Sequence, residues 1–317
     1  MKAINAYTQI FDDINGQQDI LKKIEVCGRV CYKSEGKIEE GTAKKFIGNI
    51  IKRGHEAVLE HGSFIFLMSP NVYQNIERAI QIFKNEYNYN SFLRFTKDGR
   101  CVVSGNVRAW RDFFKVHLAC FKSLPKLMET FIKENPVLFP EFQDVNFVDF
   151  NVNGSTFIQI KPTDLQTDFE KLTHWDVTVK FVTDRGVSHE IVRHRPASYC
   201  QESTRYCNYS KDDFGKEITV IIPPFLKYKS DAWNIWIQSM KNAEKDYFEL
   251  LNIGLTAQEA RGVLPTNLKT ELVMTANLAE WKTFFELRTA PAAHPQMVEV
   301  AIPLFEDMCE LIPGVLI

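Results

Sequence analysis

Residues 175–206 read WDVTVKFVTDRGVSHEIVRHRPASYCQESTRY. In 175–182, WDVTVKFV, apolar and polar side chains alternate, the pattern of a half-buried strand. Asp184-Arg185-Gly186 supplies a turn, and a helix is expected from 187 to about 195, stopped by Pro196. Strand, turn and helix would thus deliver Arg193-His194-Arg195, with Ser203-Thr204-Arg205-Tyr206 following shortly after. Guanidinium forks match phosphate oxygens bidentately and keep their charge at neutral pH. The stretch is therefore expected to grip the phosphate of a nucleotide or dinucleotide. A solvated basic turn is the plainer alternative.

The surrounding chain sets limits on that reading. Its 317 residues are 45% hydrophobic and 25% charged, with a net charge of −2, which is ordinary globular composition. So near-neutral a balance argues against a nucleic-acid coat protein and makes the basic cluster a local anion site. No apolar run reaches the roughly eighteen residues a spanning helix needs, so no membrane partner is expected. The opening segment lacks the cationic start and apolar centre of a secretory signal. Seven cysteines with no C-x-x-C pair fit free thiols in a reducing cytoplasm.

Working outward, apolar periodicity predicts helices at 20–30, at about 39–52 closed by Gly54, and at 71–84, with a strand at 63–67. Residues 106–133 read as helical with a kink or break at Pro125, and the PTDLQTD run near Pro162 as loop. A strand at 217–222 precedes helices at 231–251, 257–261, 268–288 and 295–311. No low-complexity linker separates two cores, so a single α+β domain over 1–317 is expected. One echo recurs: SGNVRAWRDFF at 104–114 and TANLAEWKTFF at 275–285 both place an Asn before a Trp and a Phe pair.

Fifteen glycines form neither G-x-G nor a P-loop, so any dinucleotide would be held by side chains. GHEAVLEH, 54–61, holds two His and two Glu, but its spacing is not that of a zinc helix. Polar contacts to a cofactor at a helix–strand junction are expected there, and no metal. Asn277 and Arg288 lie about three helical turns apart and bracket Trp281 and Phe284. They would face a planar ligand, or be the polar ends of an aromatic core stripe. Arg261 reads as a helix-terminal cation. Cys200 and Cys207 sit among cations, yet no Cys–His pair is deducible and no thiol nucleophile is expected.

Together these residues resemble the flavin-dependent thymidylate synthase family. Its signature, R-H-R, seven residues, then S-x-R-Y, is matched in full by Arg193-His194-Arg195, PASYCQE and Ser203-Thr204-Arg205-Tyr206. Similar too are GRVCYKS at 28–34, GHEAVLEH, ARGVLP at 260–265, and the run from Asn277 to the AHPQM of 293–297. The resemblance implies an α+β fold with a mixed or antiparallel sheet packed by long helices. It also implies a homotetramer with active sites shared between subunits. FAD would be the cofactor, NADPH and methylenetetrahydrofolate the cosubstrates, and dUMP the substrate. His55, Arg193, His194, Arg195, Gln201 and Asn277 would hold FAD. Glu190, Arg193, Gln201, Ser203, Thr204, Arg205 and Arg261 would surround dUMP. Arg288 would contact the uracil and stabilise its ionised N3, activating C5 for attack without an enzymic nucleophile.

Three positions depart from the family pattern. Ala57 stands where Ser or Thr is frequent, and Ala279 and Thr283 stand where Arg and then Asn or Gln are frequent. They motivate an alternative, a non-catalytic flavin- or nucleotide-binding relative. Asn106 and Arg108 of the echo would be placed to supply the cation missing at Ala279. The segment at about 68–172 is longer than in compact members and reads as an elaboration. An RNA-binding module draws only on the Arg/Tyr interleaving of the signature and conflicts with the neutral overall charge.

Overall fold

The computed structural model describes residues 1–12, 19–87, 92–149, 154–211 and 215–316. Its chain forms two compact units. The first comprises Met1–Phe11, Val26–Lys37 and Val177–Ile317; the second comprises Asp12–Glu25 and Ile38–Asp176. Helices and antiparallel ladders share both, so the α+β expectation holds.

In the first unit the strands Ser198–Gln201, Lys269–Asn277, Asp176–Asp184 and Tyr7–Ile10 lie side by side in that order. The two inner strands are buried on both faces along most of their length. Asp176–Asp184 is therefore more buried than its alternation predicts. Lys269–Asn277 corrects the expected helix at 268–288, whose helical part is only Leu278–Arg288. An inner strand covered on both faces reads as a near-continuous apolar run, which periodicity does not separate from a buried helix. Ser198–Gln201, unforeseen in the sequence, pairs antiparallel with this strand, Cys200 opposite Val273.

A second correction concerns the signature. Asp184 caps a helix of only Arg185–Ile191, its Oδ1 accepting from Val187 N–H at 2.9 Å. Arg193, His194 and Arg195 thus lie in the loop beyond the helix, and the Arg195–Pro196 bond is cis. Lys2–Ile4 pairs in parallel with Thr219–Ile221. Long helices Asp231–Asn252 and Pro295–Leu311 occur where periodicity placed them. Trp281, Phe284 and Phe285 are buried, and Trp281 Nε1 donates to the Val177 carbonyl at 3.1 Å. The aromatic stripe between Asn277 and Arg288 is thus core.

The second unit holds the antiparallel order Arg94–Asp98, Arg100–Asn106, Ser63–Met68, Phe157–Ile160. The first two form a hairpin that turns at Gly99, φ +76°. A side chain there would be strained, which marks the glycine as structural. This hairpin went unforeseen because its strands are short and Arg/Lys/Thr-rich at one edge. Helices Ile20–Val30, Thr42–Lys52 and Pro70–Tyr87 match expectation, and Gly54 follows the second in a left-handed conformation.

The helix expected over 106–133 is broken outright rather than kinked. Val107–Phe121 ends at Lys122, φ +58°, and Leu124–Pro125 then pairs with Phe147–Val148. A 3-10 turn at Lys126–Met128 then leads into the helix Glu129–Glu134. Trp110 and Phe131 meet Phe66 edge to face in this core, at centroid separations of 5.1 and 4.9 Å. Among the described residues no helix is long and apolar enough to cross a membrane.

The sequence echo is also an echo of structure. In both units a strand ends in an Asn whose side chain caps the following helix. Asn106 Oδ1 accepts from Ala109 N–H at 2.8 Å, and Asn277 Oδ1 from Glu280 N–H at 3.0 Å. Trp110 and Trp281 both have no exposed surface.

Candidate active site

Arg288, at the end of Leu278–Arg288, brings together two of the residues of the first unit that the sequence singled out, Glu190 and His194. Its Nε–H donates to His194 Nε2 at 2.9 Å, and Nη1 and Nη2 donate to Glu190 Oε2 and carbonyl at 2.9 and 3.2 Å. Those partners stand 94 and 98 residues earlier in the chain. His194 is buried, with Phe284 edge-on at 4.9 Å. Burial first, and then the charge of Arg288, hold its pKa down at about 4. On the other side of the ring Nδ1 lies 3.3 Å from Glu280 Oε1. Burial pushes the Glu280 pKa up, against the backbone N–H of Arg195. Tyr199 fixes the loop by donating its hydroxyl to the carbonyls of Ile191 and His194, at 3.0 and 2.7 Å.

Arg193 and Arg195, flanking buried His194, are exposed, and among the described residues neither pairs with a carboxylate. Arg205 and Arg261 are exposed in the same way, Arg205 beside the Tyr206 ring at 5.7 Å. Four guanidiniums unclaimed by protein carboxylates fit external anions such as the phosphates of a dinucleotide and a nucleotide. Gln201 Nε2 is held by the hydroxyls of Ser188 and Thr270, at 2.9 and 3.2 Å. Ser203 N–H donates to the Cys31 carbonyl at 3.2 Å, tying the signature to the GRVCYKS segment. Thr204 is buried beside it.

Next to the signature sits a charge network that nothing in the sequence marks. Lys269 Nζ lies 2.8 Å from both Glu202 and Glu271, and Glu271 also pairs with Lys33 and, at 3.5 Å, with Lys180. Burial works to lower the Lys269 pKa, but the two carboxylates outweigh it and push it up to about 12. Burial likewise raises that of Glu271, and the lysines overcome it, to about 2. Burial pushes the Cys207 thiol up to about 12, and Cys200 is buried in its strand. Cys31, hydrogen-bonded by the Cys200 thiol, is shifted downward.

His55 belongs to the second unit, exposed at the start of the turn Glu56–His61, whereas His61 is fully buried. Glu56 and Glu60 of that motif engage the helix Val107–Phe121. Glu56 takes Lys115 at 3.1 Å and Arg111 at 3.3 Å, and Glu60 takes Arg108 at 2.7 Å. Ala57 and Ala279 are exposed, and the Thr283 hydroxyl donates back to the Ala279 carbonyl at 3.2 Å.

The family described as "Thymidylate synthase complementing protein" matches residues 14–79 and 168–314, about two thirds of the chain. Curated relatives carry the name "Flavin-dependent thymidylate synthase". That of Pyrococcus furiosus is 36% identical over 126 residues, 40% of this chain and 51% of its own length. That of Sulfurisphaera tokodaii is 35% identical over 129 residues, 41% and 48% of the two chains. That of Geobacter sulfurreducens is 31% identical over 131 residues, 41% and 53%. The chain thus spans about half the length of the curated relatives it matches.

Proposed function

The chain belongs to the thymidylate synthase complementing protein family, and from that premise we propose that it methylates dUMP reductively to dTMP with FAD. Methylenetetrahydrofolate is the one-carbon donor and NADPH the reductant in this reading. The observation that carries it is the meeting of Arg288 with Glu190 and His194 in one hydrogen-bonded cluster next to unpaired arginines. FAD, when bound, supplies the hydride chemistry; the protein places partners and stabilises charge.

Arg193, His194 and Arg195 hold FAD, with Gln201, Asn277 and His55 contributing. Arg205 and Arg261, with Arg193, take the dUMP phosphate, while Glu190, Gln201, Ser203 and Thr204 orient the nucleotide. The Arg288 guanidinium stabilises the negative charge that develops on the pyrimidine. Its bonds to Glu190 and His194 hold that guanidinium in place. The assembly is a cytoplasmic homotetramer whose subunits share sites, and the segment at about 68–172 elaborates a single catalytic domain.

One observation favours a second reading, a non-catalytic flavin- or nucleotide-binding relative. Where the family pattern has polar side chains, Ala57 and Ala279 offer none and the Thr283 hydroxyl is bonded into its own helix. Tritium release from C5-labelled dUMP, with methylenetetrahydrofolate and NADPH, separates the two. Release that requires FAD supports the synthase; no release from protein with flavin bound supports the relative.

A further inference from the structure

Arg288 Nε bears a hydrogen and accepts nothing. Its 2.9 Å contact with His194 Nε2 therefore makes that nitrogen the acceptor. A neutral imidazole accepting at Nε2 carries its proton on Nδ1. Among the described residues the carboxylate beside Nδ1 is Glu280, 3.3 Å away and 9% exposed. Glu280 is itself fixed from below, because its N–H is the one that Asn277 caps at 3.0 Å. Arg195 N–H also donates to its carboxylate. The ring has little freedom to turn, with Phe284 edge-on at 4.9 Å and the His194 carbonyl held by Tyr199.

We propose that Glu280 is a positioning residue: it selects the Nδ1–H form of His194 and, through the Nε2 lone pair, fixes the guanidinium of Arg288. The chain of contacts runs Glu280, His194, Arg288, Glu190: from the first turn of Leu278–Arg288 through the loop residue His194 to that helix's last residue, and on to the helix Arg185–Ile191. Without Glu280 the commoner Nε2–H form would point a donor at a donor and release Arg288 from its ring partner. The carboxylate that holds an imidazole in one tautomer in hydrolytic triads acts on the same principle. The activity arm of the test rests on the synthase reading; the spectroscopic arm does not.

Solid-state 15N NMR of histidine-labelled full-length protein reads the tautomer, with the His194 signals assigned by their loss in His194→Gln. The native chain and Glu280→Gln, whose amide oxygen still accepts, are expected to show Nδ1–H. Glu280→Leu is expected to show Nε2–H or a mixture. Should Glu280→Leu not fold, Glu280→Asp keeps the charge but shortens the reach, and the same loss of the pure Nδ1–H form is expected. Persistence of Nδ1–H in whichever of these two variants folds overturns the proposal. In the dTMP assay kcat should fall about tenfold or more in the same variants, with the KM for dUMP moving less and Glu280→Gln recovering most of the rate. Native kcat in Glu280→Leu or Glu280→Asp also overturns it. If the native protein forms no dTMP, the synthase reading fails while the NMR result still decides the role of Glu280.

Discussion

Replacing Arg288 by Ala removes a donor from His194 and from Glu190 at once. On the proposed chemistry it also removes the cation nearest the pyrimidine. Loss of one such preorganised donor costs about a hundredfold or more in turnover. The expected result is dTMP formation down by at least that factor with flavin content preserved; retained activity would exclude the assigned role. Arg288→Lys keeps the charge but not the fork, and should recover only part of the rate.

The buried histidines give a pH dependence at the same scale. Burial leads in lowering the pKa of His194 and His174 to about 4 and of His61 to about 3. The unfolded chain, titrating near the ordinary value of about 6.5, therefore binds more protons below that pH. Stability should be level above about 6.5 and decline as pH falls toward 4, as urea melts would show. The contribution of Glu271, whose pKa is depressed to about 2, is present above the usual carboxylate range and is lost only as pH falls below it toward 2. The Arg-His-Arg and Ser-Thr-Arg-Tyr groups were legible because their spacing is written along the chain. Glu280 and the Lys269 network were not, because Lys269 meets Glu202 across 67 residues and His194 meets Glu280 only through the fold.

Among elements, the outer helices announced themselves through one apolar stripe each, and the strand at Asp176–Asp184 through its alternation. Lys269–Asn277 did not, since covering both faces of an inner strand erases the period of two. That strand matters most to the site, for its last residue caps the helix that carries Glu280 and Arg288. Asn277→Ala should cost about 1 kcal/mol of stability, the usual worth of an N-cap, and Asn106→Ala about the same. Chemical denaturation of the two variants tests whether the paired caps are energetically alike. A cost within experimental error of zero at either position would show that cap to be dispensable.

At the scale of the whole molecule, the second unit uses only residues from Asp12–Glu25 and Ile38–Asp176, whereas the first needs chain from both ends. Tyr7–Ile10 finds its ladder on residues 179–182, and Lys2–Ile4 on 219–221. Synthesis is vectorial, so every residue of the second unit is made before the inner strands Asp176–Asp184 and Lys269–Asn277 of the first are complete. The strands Lys2–Ile4 and Tyr7–Ile10 must therefore wait for partners that are made only after the residues of the second unit. Nascent chains arrested shortly after the second unit emerges should already resist protease within 38–87 and 92–149 and remain cleavable near Tyr7. The order of translation thereby separates the birth of the two cores in time, and places the assembly of the Arg288 cluster after every residue of the second unit has been made.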